Sequence, residues 1–242
     1  MALVAFQRAF YELVADSLLC MEARENPEIL RGRYDLTEKE FTRLRSIVGQ
    51  KGMATNCNLY RMNRVTPLYT LLPYTCKLLG DDFVPLLNRF WGEYNQTGLQ
   101  FGNEVELFCH FLKLNLLAGN IQNPYLLEIL GFEYQLNELR YRQESGHDAP
   151  QTRTYGKYAL NPGCRVVPFT HDPPELFRHL VNDNTPMPPN LPTGHYSLLL
   201  ELNGAEVDMK VISPELGHIL NNLQLYAELP KELLDSGLVF SV

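Results

Sequence analysis

Residues that could carry chemistry are present but scattered. The histidines are His110, His147, His171, His179, His195 and His218. His171 and His179 are eight apart across a predicted helix start, which is not a ligand spacing. His110 lies in an apolar helix, the usual setting of a hydrogen-bonded core histidine. Glu128 and Glu133 share a helix, but a separation of five sets two carboxylates on different faces, so caps and ion pairs suit them better than acid–base work. Cys20, Cys57, Cys76, Cys109 and Cys164 are odd in number and form no CxxC pair, which points to buried free thiols in a reducing compartment. The phosphate-binding glycine loops, the HExxH helix and the GxSxG elbow are all missing. The sequence therefore points to no enzyme, cofactor or metal site of its own.

The densest polar cluster is Asn58-Leu59-Tyr60-Arg61-Met62-Asn63-Arg64. Helical spacing places Tyr60 and Arg64 on one face, with Asn63 beside Tyr60. Planar donors close to an aromatic ring make a buried hydrogen-bond hub or a recognition surface. Tyr60, Arg61, Asn63 and Arg64 are accordingly expected to form a structural hub or a partner contact, with the structural role preferred.

The elements that must position these residues fall into two groups. The apolar repeat Leu3, Phe6, Phe10, Leu13, Val14, Leu18 and Met21 predicts an amphipathic helix. Thr37 and Glu40 form a capping box before a short helix with Phe41, Leu44, Ile47 and Val48 inward and Lys39, Arg43 and Arg45 outward. Short helices follow over Tyr60–Tyr69 and Pro73–Leu79. Others follow over 82–94 and 104–117, with a turn at Gly98–Gly102 between them, and over 125–143. Beyond a polar linker at about 144–154 the pattern changes. Cys164–Phe169 is strand-like, and Tyr196–Leu202 and Val207–Val211 flank Asn203-Gly204 as a hairpin over 196–211. Ser213 caps a helix, and Leu238–Val242 reads as a terminal strand. The expectation is an α+β chain. A mainly helical domain spans 1–143, and a small α/β domain with an antiparallel hairpin spans 155–242.

Leu198-Leu199-Leu200 is apolar on both faces, which predicts a central strand under the Ser213 helix. Val207, Met209 and Val211 alternate with Asp208 and Lys210, which predicts a strand with one wet face, at an edge. An edge offers its backbone to an extended peptide, so Val207, Met209 and Val211 are the candidate peptide-binding residues. The competing expectation is that Leu238–Val242 already covers that edge.

The formal charge of −7 excludes a chain coated in positive charge for nucleic acid. The charge is uneven, with eight basic against three acidic residues from Arg31 to Arg64, and six basic against twelve acidic from Gln143 onward. Lys39, Arg43 and Arg45 are the candidates for nucleic-acid contact in the alternative reading, a DNA-binding transcription regulator. That reading is disfavoured because Glu38 and Glu40 share their helix. The N-terminus lacks the pattern of a signal peptide, and no apolar run is long enough to span a membrane, so a cytoplasmic location is expected.

Several short pieces, in order, resemble the HvfC/BufC-type family, long catalogued as a DNA-binding domain. They are Tyr60-Arg61-x-Asn63, Leu72-Pro73, Leu78-Leu79-Gly80-Asp81-Asp82-Phe83, Asn123-Pro124-Tyr125-Leu126 with Phe132-Glu133-Tyr134, and Leu160-Asn161-Pro162-Gly163-Cys164-Arg165-Val166. The resemblance covers roughly residues 50–225. Arg64 replaces the family's second Asn, and the N-terminal 50 residues are longer than usual. The resemblance implies a helical domain followed by a small α/β domain, and no catalysis by this chain. It also implies a partner subunit that binds a multinuclear non-haem iron oxidase and holds the leader segment of a ribosomal precursor peptide by strand addition.

Overall fold

The computed structural model describes residues 2–94, 101–145, 157–182 and 186–242. The chain divides into two compact units, Met1–Leu114 and Asn115–Val242.

The first unit opens with α1 (Ala2–Ala15) and α2 (Ser17–Glu25) where the sequence predicts one helix. Asp16 makes the break: its carboxylate accepts from the Leu18 and Leu19 N–H groups and starts a new helix. The restart rotates the buried face, so Ala9, Leu13, Leu19, Cys20 and Ala23 are buried while Phe10, Val14 and Met21 are exposed. After α3 (Ile29–Arg33), α4 (Glu38–Val48) begins at the predicted Thr37–Glu40 capping box and buries Phe41, Leu44 and Val48.

The predicted helix over Tyr60–Tyr69 is the end of a longer one, α5 (Lys51–Leu71). Gly52 lies inside it, and so does Pro67, which cannot donate to the carbonyl one turn earlier. Packing overrides both breakers, because the helix carries Cys57, Arg64 and Leu68 into the interior. Next come α6 (Pro73–Leu79), with Pro73 at its first position, a 3-10 turn over Gly80–Asp82, α7 (Phe83–Glu93) and α8 (Phe101–Leu117). Most of the turn predicted at Gly98–Gly102 lies outside the described residues; Phe101 and Gly102 are helical. Phe83, Phe90, Phe108 and Phe111 interlock, with Phe90 5.2 Å from Phe108 and 5.6 Å from Phe111 between ring centroids.

The second unit is built on a three-stranded antiparallel sheet. Its strands are β2 (Cys164–His171), β3 (Thr193–Asn203) and β4 (Glu206–Ile212), in the order β2-β3-β4. β1 (Tyr158–Leu160) and β5 (Val239–Ser241) form a separate two-stranded ladder. Helix α9 (Leu126–Ser145) packs on β2, so the unit begins earlier than the expected boundary after residue 143. The sequence reads α9 as the last helix of a bundle because its apolar face suits a helix or a sheet equally well. The predicted linker over 144–154 lies outside the described residues from 146 onward, and residues 144 and 145 end α9.

Helix α10 (Pro173–Val181) follows β2, and α11 (Pro214–Asn221) starts at Ser213, whose hydroxyl accepts from Leu216 N–H. A Cβ at Gly217 would lie 2.5 Å from the Ser197 Cβ, so glycine lets α11 sit directly on β3. Leu198, Leu199 and Leu200 are all buried, as expected of a central strand. A 3-10 turn over Leu223–Leu225 and α12 (Lys231–Asp235) lead into β5.

All five cysteines are free and buried. Burial, with the Cys57 thiol beside it, pushes Cys20 up to about 12, and burial pushes Cys164 up to about 11. The folded state therefore holds both thiols neutral. The stabilisation from this is fully present below the ordinary thiol value of 9.0 and is lost as pH rises through 11 to 12. The native chain is expected to resist a thiol reagent at about pH 8 until denaturant is added. Its melting temperature is expected to fall as pH climbs above 9.0. Rapid labelling of the folded chain would contradict the burial of these thiols.

Candidate functional site

Of the predicted hub residues, Arg64 is the anchor. Its side chain is 3% exposed, and its Nε donates to Glu104 Oε1 at 2.8 Å. Its Nη2 donates to the Tyr94 carbonyl at 2.9 Å, and Trp91 Nε1 donates to the same Glu104 oxygen at 3.1 Å. The guanidinium also lies 5.2 Å from the Trp91 ring and 5.9 Å from the Tyr60 ring. One buried ion pair thus joins α5, α7 and α8. Arg61 is half-buried, donates to Asn88 Oδ1 at 3.1 Å and lies 5.3 Å from the Trp91 ring. Asn63 is exposed and takes no part in the hub, because helical rotation turns it away from Arg64. The sequence reading missed Glu104. The signal was a carboxylate on the same face of α8 as Phe108 and Phe111, where it needs a buried cation.

The three candidate basic residues of α4 are exposed but do not share a face. At about 100° per residue, Arg45 points roughly opposite to Arg43. Arg43 also lies 5.8 Å from the Phe6 ring, while Glu38 is paired with Arg31 and Glu40 with the cap. This is not the one-sided basic stripe of a groove-reading helix.

The strand β4 lies at a sheet edge, and both its faces are wet where the sequence predicts one, because Met209 and Val211 are exposed as well as Asp208 and Lys210. β5 pairs with β1, so the terminal strand does not cover β4. The hairpin closes at the Asn203–Glu206 pair, with Gly204, at φ +62°, and Ala205 in the turn. Leu202 N–H donates to the Gly163 carbonyl, which directs the backbone of Leu198, Leu200 and Leu202 toward β2. By alternation, Ser197, Leu199, Glu201 and Asn203 bond to β4 through Ile212, Lys210, Asp208 and Glu206. The backbone N–H and C=O groups of Val207, Met209 and Val211 therefore face outward, and among the described residues no backbone group meets them. Their side chains share the face of Leu198, Leu200 and Leu202; Met209 is 57% and Val211 42% exposed.

The opposite edge is blunted at three of its outward positions, Cys164, Pro168 and Thr170. On the outer side of β2, Cys164 N–H donates to the Asn161 carbonyl and Pro168 has no N–H. Glu128 Oε2 accepts from Thr170 N–H at 2.7 Å, from the Thr170 hydroxyl at 2.9 Å and from His171 N–H at 3.3 Å. Its Oε1 lies 2.5 Å from His171 Nδ1, so that nitrogen carries the hydrogen. The Tyr125 ring stands edge-on to His171 at 4.7 Å, and its hydroxyl donates to the Pro188 carbonyl and accepts from Leu191 N–H. Glu128 and His171 thus form a capping device, a pairing that their separation of 43 residues hid from sequence reasoning. A carboxylate one helical turn before the buried Phe132 on α9 was the available signal.

Among the described residues, no three His, Cys, Asp or Glu side chains are placed to hold a metal ion, and no helix is long and apolar enough to cross a membrane. In comparisons with known proteins, the chain matches no family model and no curated protein.

The buried and the exposed members of the predicted hub respond differently to substitution. Arg64→Ala removes the buried cation that faces the Glu104 carboxylate and is expected to cost about 3–5 kcal/mol in urea unfolding. Asn63→Ala is expected to change stability by no more than about 0.5 kcal/mol. Equal effects of the two substitutions would show that the ion pair does not hold the helices.

Proposed function

We propose that this chain is a non-catalytic recognition subunit that holds the leader segment of a ribosomal precursor peptide along β4, beside a multinuclear non-haem iron oxidase that modifies the peptide. The observation that carries the peptide part of this reading is the asymmetry of the sheet. On β2 the Asn161 carbonyl takes the Cys164 N–H, Glu128 takes the Thr170 N–H and Pro168 has none, which leaves one outward N–H at Val166, while β4 keeps the outward backbone groups of Val207, Met209 and Val211 open among the described residues. An added strand gains affinity from backbone hydrogen bonds and selectivity from its alternate side chains, here against the apolar row of Val207, Met209 and Val211. The oxidase and the leader identity rest on the ordered motifs from Tyr60-Arg61-x-Asn63 to the Leu160–Val166 segment.

In this arrangement the chain performs no bond-making step. It fixes the register of an otherwise flexible peptide, which raises the local concentration of the peptide at the oxidase it accompanies.

Met209→Pro removes an outward N–H without removing a bond to β3, so the variant is expected to fold. With a precursor peptide encoded beside this chain, calorimetry is expected to show at least about a tenfold loss of affinity on this substitution. Amide exchange at Val207, Met209 and Val211 is expected to slow when the peptide binds the unaltered chain. Undiminished binding by the folded variant, with exchange on β4 unchanged by peptide, would place the peptide elsewhere.

A further inference from the structure

The exposed part of β4 is chemically self-complementary. Val207-Asp208-Met209-Lys210-Val211 has a valine at each end, opposite charges on either side of the centre and a methionine in the middle. We infer that β4 pairs antiparallel with β4 of a second copy about a two-fold axis at Met209, joining two three-stranded sheets into one continuous sheet.

The register follows from which groups face outward. Val207, Met209 and Val211 present their backbone to the edge, so they form the hydrogen-bonded pairs of the new ladder. Met209 then lies opposite Met209 of the second copy, and Val207 opposite Val211. All these side chains share one face, and pairing buries Met209 and Val211, now 57% and 42% exposed, against their counterparts. On the other face Asp208 meets Lys210 of the second copy, and Lys210 meets Asp208. These are non-hydrogen-bonded positions, where opposing Cα atoms approach to about 4.5 Å and side chains interact most closely.

Charge selects this register over its neighbours. A slip of two residues sets Asp208 against Asp208 or Lys210 against Lys210, and in-register parallel pairing does both. The hairpin itself adds a reason for a second copy. Glu201 lies directly opposite Asp208, so β3 and β4 place two carboxylates side by side, with Asn203 Nδ2 donating to Asp208 Oδ2 at 3.2 Å. Lys210 of a second copy would bring a cation to that pair. The pairing is isologous, so each copy buries the same edge and the assembly closes as a dimer. Charged side chains normally protect an edge from such pairing, but here Asp208 and Lys210 are opposite in sign and each meets its counter-charge across the two-fold axis. The inference does not require a peptide. Where a peptide binds the same edge, it and the second copy exclude each other.

Sedimentation equilibrium of the full chain without peptide, over the micromolar to millimolar range, tests the pairing. The unaltered chain is expected to show a monomer–dimer equilibrium. Asp208→Lys and Lys210→Asp each replace two attractive cross-strand pairs with two repulsive ones, and each is expected to weaken the dimer at least about tenfold. An equimolar mixture of the two variants is expected to recover the association, because one strand then carries two lysines and the other two aspartates. The double variant carrying both substitutions is expected to dimerise like the unaltered chain. A chain monomeric throughout, single variants that dimerise unchanged, or a mixture no better associated than its components would each overturn the inference.

Discussion

Every backbone N–H and C=O in a sheet needs a partner, and a three-stranded sheet has two edges on which the third strand cannot help. Much of the second unit is arranged around that constraint. Helix α9 delivers Glu128 to the outer side of β2, where one carboxylate meets two backbone N–H groups, a hydroxyl and the His171 ring. The terminal strand β5, which could have covered β4, is drawn to β1 instead, with Val239 in the core beside Cys164, Leu220 and Leu223. Among the described residues, the outcome is a sheet blunted along β2 at Cys164, Pro168 and Thr170 and open along β4.

The open side does not follow from neglect of local chemistry. β4 sits next to a strand whose Leu198, Leu199 and Leu200 are buried, and its inward ladder is regular from Glu206 to Ile212. Its outward groups belong to Val207, Met209 and Val211, whose side chains also form an apolar row, exposed at Met209 and Val211 and half-buried at Val207. Backbone and side-chain recognition therefore reside in the same residues. A bound strand of either kind, a peptide or a second copy, meets both at once. The two occupants differ in what the opposite face demands: a second copy supplies a charge pattern that matches Asp208 and Lys210, and a peptide need not.

The first unit meets a different requirement. Several of its helices are short, and the long α5 carries Gly52 and Pro67. What joins α5 to α7 and α8 is a charge pair removed from water and supplemented by Trp91 and the Tyr94 carbonyl. Such a pair adds little net stability compared with an apolar replacement, but it tolerates no partial loss, which makes it a strong constraint on how the three helices meet.

Local signals in the sequence settled the Thr37–Glu40 cap, the Ser213 helix start, the β3–β4 hairpin and the central place of Leu198–Leu200, because caps, turns and two-sided apolar strands are decided within a few residues. The alternation of Val207, Met209 and Val211 with charged neighbours likewise marked an edge strand before any pairing was known. Tertiary structure alone decided the rest. Asp16 reset the phase of the first helix, and burial carried α5 through Pro67. α9 joined the sheet, and β5 chose β1 over β4. Arg64 found Glu104 across 40 residues, and His171 found Glu128 across 43. An apolar face does not specify whether a helix or a sheet will cover it, and a charge on such a face announces that it needs a partner without saying which.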